Sequence, residues 1–286
     1  MVLAMAGFAL EDMFVKSASR TLPAGEILIL FGLGGMAAFV LLVLFNHERL
    51  LPREVLSRPI LLRAICEIAG RLFFTLAITL TPLSSASAIL QATPLVVVMG
   101  AALFLGEKVG WRRWLAISIG FAGVLMILRP GLAGFEPASI FAVLGTLGFA
   151  GRDLATRAAP PVFSNRQLGV YGFFILIPAG AILVPYTGGI VWPDTASSMK
   201  ILGTVFFGAL GYHCLTMAMR TGEVSVVAPF RYTRLVFAMV IGVIAFSERP
   251  DFMTIAGSLI IVSSGVYSLL KTESTGQLPA PDPATG

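Results

Sequence analysis

Residues 81–107, TPLSSASAILQATPLVVVMGAALFLGE, return in blurred form at 222–248 as GEVSVVAPFRYTRLVFAMVIGVIAFSE. Adding 141 to each position carries Ser84 onto Ser225 and Glu107 onto Glu248. The same constant holds far upstream. It carries Gly7, Phe8, Ala9, Asp12 and Lys16 onto Gly148, Phe149, Ala150, Asp153 and Arg157, and Gly70, Thr75 and Ala77 onto Gly211, Thr216 and Ala218. One offset across most of each half means duplication, and a duplication dictates architecture before any local reading does.

Hydrophobic residues make up 57% of the chain and charged residues 12%, with a mean hydropathy of +0.90, so the chain is too poor in charge for a water-soluble globule of its 286 residues. It reads as an all-α polytopic membrane protein. A bilayer core needs about 20 apolar residues per helix, which allows roughly ten spans. They fall at about 3–20, 25–45, 60–80, 83–105 and 113–129, then at about 138–157, 167–187, 199–219, 223–246 and 252–270. Residues 1–134 form the first repeat and 135–271 the second, while 272–286, polar and proline-rich, read as a disordered cytoplasmic tail. Five spans per half is an odd number, so the second copy must insert the other way up, as two inverted five-helix repeats. Glu11 and Asp12 interrupt the first span and exclude a signal peptide.

A net charge of +5 and a pI near 9.6 would suggest nucleic acid in a soluble protein, but here the cations follow the loops. The loops joining spans 2 to 3, 4 to 5, 6 to 7 and 8 to 9, with the C-terminus, hold most of them. The opposite side holds Lys16, Arg20, Arg129, Lys200 and Arg249. By the positive-inside rule both termini face the cytoplasm, which requires an even number of spans. Cys66 and Cys214 lie in apolar runs and are not related by the repeat, so neither a disulfide nor a metal site is indicated, and no cofactor is called for.

Ionisable groups at bilayer depth cost a few kcal/mol or more each and are functional candidates by default. Asp12 and Lys16 stand i,i+4, as do Glu67 and Arg71, and each spacing suggests a pair. The repeat preserves the first as Asp153 and Arg157, which marks it as architectural. Glu107 and Glu248, ending their helices, also read as structural. A ligand without two-fold symmetry must instead be met where the halves have diverged. Those positions are Glu11 against Arg152, Glu67 against Gly208, Arg71 against Tyr212, Leu72 against His213, Leu90 against Arg231, Gln91 against Tyr232, and Thr93 against Arg234. The candidate substrate contacts are accordingly Glu11, Glu67, Arg71, Gln91, Arg152, Tyr212, His213, Arg231, Tyr232 and Arg234, around a polar cavity between spans 1, 3, 4, 6, 8 and 9. Tyr212, Tyr232 and Phe230 suit stacking on a flat ring. Glu11, Asp12, Glu67 and Asp153 nearly balance Lys16, Arg71, Arg152, Arg231 and Arg234, so mutual pairing absorbs all but about one cation. A non-transporting membrane subunit therefore stays open as an alternative. An enzyme is disfavoured, since His47 and His213 lie in different halves and no HExxH-like spacing exists.

The stretch from Ala77 to Glu107, with Pro94-Leu95 and the closing Phe104-Leu105-Gly106-Glu107, followed by Trp114 and Gly120 to Val124, resembles the EamA repeat of the drug/metabolite transporter superfamily. The copy from Ala218 to Glu248, then Gly257 to Val266, resembles it more loosely, with Leu235 in place of the proline and Ser247 in place of Gly106. The resemblance implies ten helices in the cell inner membrane, cytoplasmic termini and alternating access to a central site. It leaves cargo and direction open, import or export of amino acids and other metabolites included, and a homodimer is compatible with it. Residues 6–14, AGFALEDMF, are similar to the riboflavin transporters of alphaproteobacteria, which implies riboflavin uptake.

Overall fold

The computed structural model describes residues 1–47, 58–104, 106, 109–129, 136–157, 164–221 and 228–273. Ten helical spans run through them: α1 (Val2–Ala18), α2 (Ala24–Phe45), α3 (Arg58–Leu80), α4 (Leu83–Phe104), α5 (Trp111–Leu128), α6 (Ser139–Arg157), α7 (Asn165–Thr187), α8 (Thr195–Thr221), α9 (Thr233–Phe246) and α10 (Phe252–Glu273). Among the described residues, α2, α4, α7 and the part of α8 up to Ala218 are long and apolar enough to cross a bilayer by composition alone. The spans α1, α3, α6 and α9 carry the ionised groups of the central site. The outer surface is apolar, with Phe45, Phe104 and Ile244 each about four-fifths exposed, as expected where lipid is the solvent.

Two spans are interrupted a few residues before a proline, α4 ahead of Pro94 and α7 at Ile175 ahead of Pro178. In α4 the helix loosens at Gln91-Ala92, because Pro94 has no N–H to give the carbonyl of Leu90. The hydroxyl of Thr93 donates to that carbonyl instead, at 2.6 Å. The second copy has Leu235 at the proline's position, and α9 is entered through a 3₁₀ turn, Ala228–Tyr232. Gly106 and Ser247, equivalent in the duplication, share the left-handed backbone (φ 69° and 54°), so the serine keeps the turn that its glycine counterpart makes freely.

The packing repeats across the halves. Helix α1 lies along α8 as α6 lies along α3, and α1 meets α9 as α6 meets α4; α2 pairs with α7 and α5 with α10. Glycines permit the closest approaches. A Cβ on Gly7 would fall 3.0 Å from Cα of Gly211, and one on its duplicate Gly148 would fall 2.6 Å from Cα of Gly70, the duplicate of Gly211. The connections α1–α2, α3–α4, α7–α8 and α9–α10, with the end of α5 and the start of α6, gather at the end of the bundle away from both termini. There Thr21 bonds Ser197 at 2.8 Å, the Val191 amide donates to Glu26 at 2.9 Å, and Arg129 pairs with Asp251. Helix α1 therefore ends where α6 begins, and the second five helices run inverted relative to the first.

That far end is tied across the repeats by Glu248. Its carboxylate accepts from the amides of Leu83 (2.6 Å) and Ser84 (3.0 Å) and from the Ser84 hydroxyl (2.8 Å), and Lys16 stands 3.2 Å away. A residue between α9 and α10 thus satisfies the free N–H groups that open α4. The equivalents Glu107, Ser225 and the Arg157 side chain lie outside the described residues, as do the tail from 274 and the loop cations Arg49, Arg53 and Lys108.

Candidate functional site

A cavity with about 90 Å³ of free space opens at mid-bundle between α1, α3, α4, α6, α8 and the start of α9. Its wall includes Glu67, Arg71, Gln91, Thr93, Arg152, Tyr212, Arg231 and Arg234, with Met5, Phe8, Phe74 and Phe149 between them. The size suits a few water molecules. A metabolite would need the walls to move apart.

Three ion pairs run between helices and two stay within one. Arg71 meets Glu11 at 3.0 Å and Arg234 meets Asp12 at 2.6 Å. Arg152 sits 2.8 Å from Asp153 and 3.5 Å from Glu67, whose other oxygen is 3.2 Å from Arg63. Glu11, Asp12 and Glu67 are no more than 2% exposed, so each would be a costly bare anion without its guanidinium. The expected pairing of Asp12 with Lys16 is corrected, because Lys16 lies one turn nearer the far end and joins Glu248 and the Thr81 carbonyl. The expected pairing of Glu67 with Arg71 is corrected too: Arg71 turns to α1, while Glu67 takes Arg63 one turn earlier on its own helix.

Rings support the cations. The Arg234 guanidinium lies 5.3 Å from the Phe8 centroid and 5.5 Å from that of Phe74. Phe149, the duplicate of Phe8, has Arg152 at 5.0 Å and Arg71 at 5.8 Å. Each ring adds attraction where water is scarce. Tyr212 is anchored by donating to the Leu168 carbonyl at 2.9 Å and by edge contacts with Phe39 and Phe173, so it shows the cavity one side of a fixed ring.

Of the ten sequence candidates, seven line the cavity: Glu67, Arg71, Gln91, Arg152, Tyr212, Arg231 and Arg234. Glu11 stands behind the wall, holding Arg71. His213 is exposed on the outer side of α8, one residue round the helix from Tyr212. Tyr232 is buried against α10, where Gly265 leaves room for its hydroxyl, and Phe230 is about half exposed. Sequence reasoning passed over Arg63, whose i,i+4 spacing to Glu67 was readable, and Phe8, Phe74 and Phe149, two of which the duplication had already flagged.

Comparison with known proteins gives the following. The model of the EamA-like transporter family matches residues 1–129 and 137–270. The pseudopaline exporter CntI of Pseudomonas aeruginosa is 30% identical over 263 residues, covering 91% of each chain. An S-adenosylmethionine uptake transporter of Rickettsia bellii is 26% identical over 74% of this chain and 72% of its own. A riboflavin transporter of Rhizobium johnstonii is 26% identical over 72% of this chain and 68% of its own. One solved crystal structure superposes with a TM-score of 0.65 at 17% identity, over 96% of this chain and 99% of that one, which is a likeness of fold.

Proposed function

The chain belongs to the EamA-like transporter family, and from there we propose that it carries a small organic metabolite across the bacterial inner membrane by alternating access, with the mid-bundle cavity as its cargo site. The observation that carries this reading is the location of the charges. Guanidiniums and carboxylates from α1, α3, α6 and α9 converge on one cavity at the interface between inverted halves, where a transporter places its cargo. The far end is bonded across the halves by Glu248, Thr21–Ser197 and Glu26, which supports a state closed on that side. Rocking of the halves on the Gly7–Gly211 and Gly70–Gly148 contacts would break those bonds and open it.

Riboflavin uptake is the cargo reading that the first helix implies, and the rings of Phe8, Phe74 and Phe149 favour a flat solute. Growth of a riboflavin auxotroph expressing this chain on limiting riboflavin, with radiolabelled uptake, tests it. Rescue by riboflavin and by no amino acid or nucleoside establishes cargo and direction together. Absence of rescue, with accumulation of another solute in proteoliposomes, leaves transport standing and removes riboflavin. Proteoliposomes that move none of the relatives' cargoes in either direction count for the non-transporting subunit.

A further inference from the structure

Four carboxylates and five guanidiniums meet around the cavity: Glu11, Asp12, Glu67 and Asp153 against Arg63, Arg71, Arg152, Arg231 and Arg234. Four of the five cations have a carboxylate within 4.0 Å. Among the described residues Arg231 has none. The charge nearest in effect is Asp153, which already accepts two bonds from Arg152. Arg231 faces the cavity from the 3₁₀ turn before α9, and Gln91 on the broken part of α4 lines the same cavity, its side-chain amide also without a protein hydrogen bond among the described residues.

From this we infer that Arg231 binds a carboxylate of the cargo, so that the transported solute is a monoanionic or zwitterionic carboxylate rather than a neutral molecule. The inference rests on the transport reading above and sets aside its riboflavin cargo, which has no carboxylate. A guanidinium is a planar fork of donors that matches a carboxylate in two parallel bonds. Among the described residues the excess around the cavity is a single positive charge, which one carboxylate neutralises and a doubly charged phosphate overshoots. A neutral cargo would leave Arg231 desolvated and without an acceptor when the halves close, at a cost the bound state must carry. The position is also one where the duplication has lost its symmetry, Leu90 being the counterpart of Arg231, as an asymmetric ligand requires. Gln91 adds an amide to the wall of the same cavity.

The test uses the full chain in proteoliposomes with five probes: S-adenosylmethionine, its decarboxylated analogue, a mixture of the standard amino acids, the amines left by their decarboxylation, and riboflavin. Expected is uptake of a carboxylate probe above empty liposomes, with the decarboxylated counterpart of that probe at least tenfold slower. R231Q should lower carboxylate uptake at least tenfold, and R231K should retain more than R231Q. Equal carriage of a probe and its decarboxylated counterpart, riboflavin carried alone, or R231Q indistinguishable from wild type overturns the carboxylate assignment while transport stands. No probe above empty liposomes removes the transport reading, and the assignment falls with it. If R231Q is not monodisperse in detergent, the paired probes on the wild-type chain and on R231K decide the matter.

Discussion

Arg234 brings its Nη2 to 2.6 Å from Oδ2 of Asp12, joining α9 to α1, and the duplicated pair cannot form because Thr93 stands where that arginine would be. Asp153, the duplicate of Asp12, takes its own neighbour Arg152 instead. Arg152 is in turn the duplicate of Glu11, a reversal of charge, and Glu11 takes Arg71, whose duplicate is Tyr212. The halves share a backbone plan and differ in how they neutralise it.

That relationship sets the first expectation. Replacing Arg234 by Gln leaves Asp12 as a bare anion at 1% exposure, and removing one partner of a buried pair typically costs about 3–5 kcal/mol. R234Q should lower the unfolding temperature of the detergent-purified protein markedly, and D12N should lower it less, since an uncompensated arginine can reach the cavity. The double variant D12N/R234Q should recover part of the loss, giving a coupling above 1 kcal/mol in a double-mutant cycle. Additive losses would show that the two side chains act independently.

The glycine contacts predict an asymmetric response to a single methyl. At Gly148 an added Cβ falls 2.4 Å from the Gly70 nitrogen, which is backbone and cannot turn aside, whereas at Gly7 the closest atom is 3.0 Å away. G148A should therefore destabilise by about 1–3 kcal/mol as an overpacked core does, and G7A by less. Thermal unfolding checks the order, and transport assays should show both variants impaired where the halves must slide.

Acid should act on the far end through Glu248. Burial pushes its carboxyl up, but the Ser84 and Leu83 amides, the Ser84 hydroxyl and Lys16 outweigh burial and hold it below the ordinary value of 4.5. A carboxyl depressed in the folded state contributes stability that is fully present above 4.5 and is lost as pH falls through the lower folded value. Thermal stability should accordingly decline below about pH 4.5, and E248Q should start lower and lose less over the same interval. Equal slopes for the two proteins would place the acid sensitivity elsewhere.

The constant offset made the fold legible, because a periodic apolar pattern and a duplication both survive in one dimension. So did the location of the site: divergent positions near the middle of spans pointed at the cavity that Arg71, Gln91, Arg152 and Arg231 line. Apart from Arg63 with Glu67, the partners were not legible. The i,i+4 rule describes one helix in solvent, and it predicted Asp12 with Lys16 and Glu67 with Arg71. Inside a bundle a cation goes to the best carboxylate within reach, and Glu248 beyond α9 drew Lys16 while Glu11 on α1 drew Arg71. His213 and Tyr232 show a second limit. Divergence marks a position without saying which way the side chain turns, and one residue of helical phase separates the cavity-lining Tyr212 from the outward His213.

The inverted arrangement carries the last prediction, which concerns the membrane itself. The far end of the bundle, helix ends and loops together, holds Lys16, Arg20, Arg129, Lys200 and Arg249, about half as many cations as the other side, so that end should be periplasmic and both termini cytoplasmic. Alkaline phosphatase inserted between Gly188 and Gly189, in the turn between α7 and α8, should be active, and the same enzyme fused after residue 273 should be inactive. A fluorescent protein that matures only in the cytoplasm should give the opposite pattern. Activity at both sites, or at neither, would mean that the α7–α8 turn and the C-terminus share a face of the membrane. That outcome would contradict the alternation from which the position of every cavity residue follows.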